Sequence, residues 1–241
     1  MTETPYLAET TRRTFTATVE RRLDDRVVLD RTYFYPDGGG QPADHGTLVT
    51  DGRPFDVVDV QKKDTIYHHL DTDPGDALAA GTTVEGELDW DRRHAHMRYH
   101  TAQHLLSAVL LDEFDARTTG NQLYADSARI DVAHDRFSES DLDDVQTLMN
   151  DLVDRDLPVR WYEMDRDRAE AELDTDRTRI DLLPDSIREL RIVEVGSEDG
   201  PLDRTACAGT HVASTGEVGE VRVRGRETKG SDEERVRFEL A

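Results

Sequence analysis

The chain has 241 residues, room for one domain or two small ones, and 36% of them are apolar, enough to bury an interior. It carries 53 acidic against 30 basic residues, a formal net charge of −23, with lysine only at positions 62, 63 and 229. No run of about 18 apolar residues occurs, which excludes a membrane-spanning helix, and a single cysteine, Cys207, excludes an intramolecular disulfide.

Acidity of this size is one signature of disorder, but apolar periodicity runs through most of the chain. The reading is a folded protein with a heavily solvated acidic surface, suited to a halophilic interior. At molar salt the screening length is roughly 3 Å, so self-repulsion is suppressed. The first fifteen residues, MTETPYLAETTRRTF, lack the apolar stretch of a signal peptide, and a cytoplasmic location is expected.

In chain order, residues 1–90 read as β-rich. Strand-like stretches at 15–19, 26–29, 54–60 and 65–69 alternate with the turn-rich segments TYFYPDGGGQPADHG, TDGRP and TDPGD. A small barrel or sandwich is expected there. Near Asp91 the pattern changes. From Arg92 to Phe114 the apolar residues Met97, Leu105, Leu106, Val109 and Leu110 predict a helix with one apolar face. A second helix is predicted from Ser138, with Asp141 completing a capping box, Leu142 to Val153 at helical spacing, and Pro158 beyond the end. Residues 188–195 and 217–238 read as strands. The expected fold class is α+β: a β-barrel-like unit over 1–90, then an α+β unit with a mixed or antiparallel sheet over 91–241.

Three segments carry chemistry. In His100-Thr-Ala-Gln-His104, a helix puts two imidazoles on one face, about 5–6 Å apart, where they can share one ion. The metalloprotease motif requires Glu after the first His, and here that position is Thr101. Cys207-Ala-Gly-Thr-His211 adds a thiolate and a third imidazole, with Gly209 letting the chain turn between them. Nitrogen and sulfur donors in a shell of four suit Zn²⁺. A structural zinc accounts for these four residues as well as a catalytic one does. The third segment holds Gly38, Gly39 and Gly40 followed by Gln41. It suits a tight turn or a close approach to a ligand, and it is no phosphate-binding P-loop, because no Gly-Lys-Ser/Thr follows.

FYPDGGGQPADHG, HTAQH and CAGTH, in that order, resemble the signature of the free-standing alanyl-tRNA editing proteins. These are related to the editing domain of alanyl-tRNA synthetase and, more distantly, of threonyl-tRNA synthetase. TTGNQLYADSARID (118–131), IRELRIVEVG and THVASTGEVG extend the resemblance over nearly the whole chain. One departure is Ala208, where the family more often has Gly.

The resemblance implies a zinc-dependent hydrolase that cleaves a wrong amino acid, serine or glycine, from alanine tRNA. It assigns His100, His104, Cys207 and His211 to the metal. It nominates Thr119 for the serine hydroxyl, with Thr118 one step away, and places Gln122 and the Gly38–Gln41 loop near substrate. Catalytic zinc sites usually keep an open position, so one ligand, His211, is expected to be exchangeable. The metal's role, activating water or positioning substrate, stays open. Gln103 is expected on polar helix surface, and His94 and His96 at the junction rather than on the metal.

Two basic clusters are nominated for tRNA: Arg92, Arg93 and Arg98, and the alternating Arg222, Arg224 and Arg226, which on a regular strand share one face. Pairing with nearby carboxylates is the competing reading of both. A tRNA ligase is excluded because no length remains for an adenylation domain. A non-catalytic, zinc-stabilised tRNA-binding module is the alternative.

Overall fold

The computed structural model describes residues 2–173, 178, 180, 183, 184, 186–197 and 200–241. The chain divides into two compact units, Met1–His96 and Met97–Ala241.

The first unit is a closed antiparallel barrel. Its strands are β1 (Thr14–Leu23), β2 (Arg26–Leu29), β3 (Gly46–Thr50), β4 (Arg53–Lys62), β5 (Ile66–Leu70) and β6 (Thr83–Leu88), in the order β1-β2-β5-β4-β3-β6. Alternate residues point inward, so Ala17, Val19, Leu48, Phe55, Val57, Ile66, Leu70 and Val84 form the core with Phe34. A register shift between Val57 and Asp59 breaks the alternation in β4, and Val60 rather than Asp59 turns inward next. Closure needs two strands more than the four read from sequence. β3 lies at the end of a turn-rich segment. β6 is TVEGEL, whose glycine hides its strand pattern. Gly86 is required by close approach, since a Cβ there would overlap the Phe15 ring.

Two buried polar groups fix the interior of this unit. The Arg93 guanidinium has no exposed surface and forks onto Asp44, which is equally buried. It also donates to the carbonyl oxygens of Thr10 (2.9 Å) and Tyr33 (2.6 Å). His68 is enclosed by the barrel, its Nε2 2.7 Å from Thr32 Oγ1 and its Nδ1 3.3 Å from the Val27 carbonyl. Burial pushes the His68 pKa down to about 4, the Val27 carbonyl only partly opposing it.

Helix α1 (Trp90–Phe114) carries the chain into the second unit. Beyond His96 it is not amphipathic, as the sequence pattern suggested, but buried on nearly every side: Met97, Tyr99, Thr101, Ala102, Leu105, Leu106, Ala108 and Leu110 are all enclosed. Around it lie a four-stranded antiparallel sheet and a three-stranded one. The first has the order β12-β13-β8-β7, from β7 (Arg117–Leu123), β8 (Ala128–Ala133), β12 (Val221–Thr228) and β13 (Glu233–Leu240). The second has the order β11-β10-β9, from β9 (Val159–Asp165), β10 (Glu189–Ser197) and β11 (Gly200–Ala206). Helix α2 (Glu139–Asp154) begins at the expected capping box: Ser138 Oγ accepts from the Asp141 amide, and the Asp141 carboxylate accepts from the Ser138 amide. Its Asn150 and Gln146 bond the backbone of Val221 and Val223, covering the open edge of β12. A short helix α3 (Arg166–Glu172) packs on the β9–β10 face over Met164, Leu190 and Ile192. No helix among the described residues is long and apolar enough to cross a membrane.

Two outcomes follow for the barrel. Asp44→Ala leaves the Arg93 charge buried and unpaired; a loss of about 3–5 kcal/mol in denaturant unfolding is expected. His68 is neutral when folded and takes a proton near 6.5 when unfolded. Its contribution is therefore full above pH 6.5 and lost as pH falls towards about 4, worth up to roughly 3 kcal/mol. His68→Leu should flatten the stability profile in that window, read by melts at pH 4 to 7.

Candidate metal centre

The site starts from α1, where His100 and His104 are one turn apart with ring centroids separated by 5.5 Å. The other two donors come from the loop leaving β11. Cys207 Sγ lies 3.5 Å from His100 Nε2 and 3.4 Å from His211 Nε2. One donor atom from each of His100, His104, Cys207 and His211 falls within 4.8 Å of every other. Zinc–sulfur and zinc–nitrogen bonds of about 2.3 and 2.0 Å at a tetrahedral angle would separate sulfur from nitrogen by about 3.5 Å. The two sulfur–nitrogen distances match that value, and the donor set suits Zn²⁺.

Two of the three imidazoles are oriented by partners from another element, Asp203 outside the motifs and Thr101 within the first of them. His104 Nδ1 lies 2.6 Å from the buried carboxylate of Asp203 and 3.3 Å from Thr205 Oγ1. His211 Nδ1 lies 3.2 Å from Thr101 Oγ1, which also accepts the Val212 amide at 3.3 Å. All three rings thus turn Nε2 inward, the usual design of a metal centre. The loop is clamped by Arg191 on β10, whose Nη1 donates to the carbonyls of Cys207 (2.7 Å) and Gly209 (3.0 Å). The chain bends at Gly209 as expected, without a positive φ. That residue is glycine because a Cβ there would overlap the His100 imidazole. Ala208 also has no positive φ, and the departure from the family pattern is accommodated without strain.

The electrostatics suit a thiolate. Burial alone would raise the Cys207 thiol, but His100 and His211 outweigh it and hold it well below its ordinary value. Burial, helped by His100, pushes His211 down to about 3, keeping it neutral. Burial opposes charge on His104, yet the Asp203 carboxylate and Cys207 bring it up to about 10. Metal uptake therefore has a proton to displace from His104.

His211 has no exposed surface, while His104 and Cys207 are partly exposed. A register shift between Thr118 and Gly120 puts the two threonines to different uses. Thr118 Oγ1 is 2.8 Å from Ser107 Oγ on α1, whereas Thr119 is exposed and donates to Glu233 at 2.6 Å. Gln122 donates to the Leu123 carbonyl. Gln103 is buried rather than on helix surface, and neither its Nε2 nor its Oε1 has a hydrogen bond among the described residues. His96 is buried, and His94 stacks on Trp90 at 5.6 Å. In the barrel unit, Gly38 and Gln41 bond each other's backbones at 3.1 and 3.0 Å across Gly39 and Gly40, both at positive φ, so that loop is a tight turn.

The basic clusters break up. Arg93 is withdrawn as a phosphate ligand because its charge is fully buried on Asp44. Arg92 is half-buried and bonds the Ala43 carbonyl, and Arg98 ties the Val218 and Ala241 carbonyls. Arg222 and Arg224 are exposed and paired with Glu220 and Glu239. The expected common face of three arginines fails at a bulge between Val223 and Gly225. It turns Arg226 towards the opposite face, where it pairs with the buried Glu234.

Residues 2–92 match the family of tRNA synthetases class II (A), and residues 190–237 the Threonyl and Alanyl tRNA synthetase second additional domain. The alanyl-tRNA editing protein AlaX-M of Methanosarcina barkeri is 40% identical over 245 residues, spanning 100% of this chain and 99% of its own. The chain belongs to the AlaX-M family of alanyl-tRNA editing proteins. The AlaX-M protein of Methanosarcina acetivorans is 38% identical, again over 100% of this chain. The alanine–tRNA ligase of Halorubrum lacusprofundi is 39% identical over 88% of the chain, which corresponds to only 22% of the ligase. The chain is thus similar to one part of that ligase.

Asp203 and Gly209 provide the check on the centre. Asp203→Ala should lower metal affinity about 10–100-fold, and Gly209→Ala should displace His100 and lower it as well. Metal retained against a competing chelator reads both.

Proposed function

We propose that this chain is a trans-acting deacylase that hydrolyses serine, and more slowly glycine, from mischarged alanine tRNA, with Zn²⁺ held by His100, His104, Cys207 and His211. The observation that carries the reading is the convergence of those four donors in a chain 40% identical, end to end, to an alanyl-tRNA editing protein.

The reaction needs a second site because a pocket shaped for alanine rejects an added hydroxyl by only about 10². A site that hydrogen-bonds the hydroxyl discriminates better, since an analogue lacking it leaves buried polar groups unpaired. The candidates lie along α1. Gln103 and Ser107 are one turn apart beside His100 and His104, and Ser107 meets Thr118. Gln103 is buried with both ends of its amide free of hydrogen bonds among the described residues. That is costly unless substrate satisfies it. In this reading Thr118 rather than Thr119 meets the serine hydroxyl. Arg92, Arg222 and Arg224 are the members of the nominated basic clusters left for phosphates.

Water adds to the ester carbonyl, the bond to the ribose oxygen breaks, and serine leaves as a carboxylate while the tRNA terminus recovers its hydroxyl. Bound Zn²⁺ supplies Lewis acidity for that step. His100, His104, Cys207 and His211 would hold the ion, which would supply that Lewis acidity. Of these donors His104 and Cys207 are partly exposed, and His211 is enclosed. Asp203 holds the His104 ring, and Arg191 holds the Cys207 loop.

Deacylation of Ser-, Gly- and Ala-charged alanine tRNA in high KCl tests the reading. Ser-tRNA should be cleaved fastest and Ala-tRNA least. Chelator or Cys207→Ala should slow cleavage by more than about 10². RNA binding without cleavage by the metal-loaded protein would favour the tRNA-binding module instead.

A further inference from the structure

Between His100 and His104, helix α1 carries Gln103. This side chain is 4% exposed, and neither its Nε2 nor its Oε1 has a hydrogen bond among the described residues. Buried amides are nearly always paired, and one left unpaired at both ends destabilises the empty protein. Along the helix axis Gln103 stands about 4.5 Å beyond His100 and about 1.5 Å short of His104, level with the two metal-binding rings. At about 100° per residue, Gln103 and Ser107 lie on one flank of the face that carries those rings, and Thr101 lies on the other. Thr101 is taken up by His211 and the Val212 amide. Ser107 is taken up by Thr118. Gln103 alone of these three polar residues has no partner among the described residues. Its neighbours His104 and Ser107 are partly exposed, which gives a ligand an approach to that flank.

A primary amide offers a donor and an acceptor side by side. An α-aminoacyl ester offers the complement, a carbonyl oxygen that accepts and an ammonium that donates. A serine hydroxyl is served further along α1, where the Ser107–Thr118 pair begins about 4.5 Å past His104. The reacting carbonyl has to come level with the metal donors, and Gln103 is at that level. When water adds to the ester carbon, the carbonyl π pair moves onto oxygen and negative charge grows there. A preorganised amide N–H beside that oxygen stabilises the growing charge more than the uncharged ester. The pair returns to the carbonyl as the ribose oxygen is expelled and takes up a proton from the added water.

We propose that Gln103 is a catalytic residue whose Nε2 donates to the ester carbonyl oxygen as water adds. The assignment rests on the deacylase reading and deepens it. Gln103 acts on the part that serine and glycine esters share, apart from the hydroxyl contact given to Thr118.

The test compares wild type with Gln103→Met, which keeps the side-chain length and removes both polar ends. Single-turnover deacylation of Ser- and Gly-charged alanine tRNA by the full-length, zinc-loaded protein separates the saturated rate from the half-saturating concentration. The variant should lose about 10²–10³ in saturated rate on both esters, with half-saturation unchanged. Without substrate it should melt about 2 °C or more above wild type, because an unpaired buried amide is gone, and metal content should be unchanged. A packing role would not combine a more stable fold with a slower reaction. A wild-type saturated rate in Gln103→Met would overturn the proposal. So would a loss confined to Ser-tRNA, which would make Gln103 a reader of the hydroxyl, or a lower melting temperature with metal lost. In each of these cases wild type still cleaves and the deacylase reading stands. Wild type that cleaves neither ester would remove both.

Discussion

The approach of the Gly209 backbone to the His100 ring is the constraint on which the centre depends. A helix supplies two donors and a loop 100 residues later supplies two more, and they share one ion only if loop and helix come into van der Waals contact. A glycine at that point permits the contact, since any side chain would overlap the imidazole. Arg191 then fixes the loop by its carbonyls, and Asp203 and Thr101 fix the rings. Each of these partners lies on a regular strand or helix, so the geometry is carried by rigid elements rather than by the loop alone.

Burial of charge follows one rule throughout. Arg93 meets Asp44, Arg226 meets Glu234, Arg160 meets Glu194, and Asp203 meets His104. Removing one partner of such a pair leaves an uncompensated charge away from water.

Much of the centre was legible in the sequence. The spacing of His100 and His104 on a helix, and the short interval between Cys207 and His211, suffice to name all four donors that converge. The supporting residues were not legible, because Asp203, Thr101 and Arg191 acquire meaning only through contacts across elements. One signal was available for Asp203. It lies four residues before Cys207, and with Thr205 at alternate positions it faces the same side of β11.

Local pattern by itself determined the capping box of α2, the helical span of α1, four of the barrel strands and the spacing within each pair of His and Cys donors. These depend on interactions within a few residues, which spacing encodes directly. Only the tertiary structure decided which arginines keep exposed charge, which threonine faces α1, and that α1 is enclosed rather than amphipathic. Bulges in β7 and β12 shift the alternation by one residue, and a one-residue shift sends a side chain to the other face of a sheet. Pairing register sets that shift, and it is a property of two strands together rather than of either segment alone.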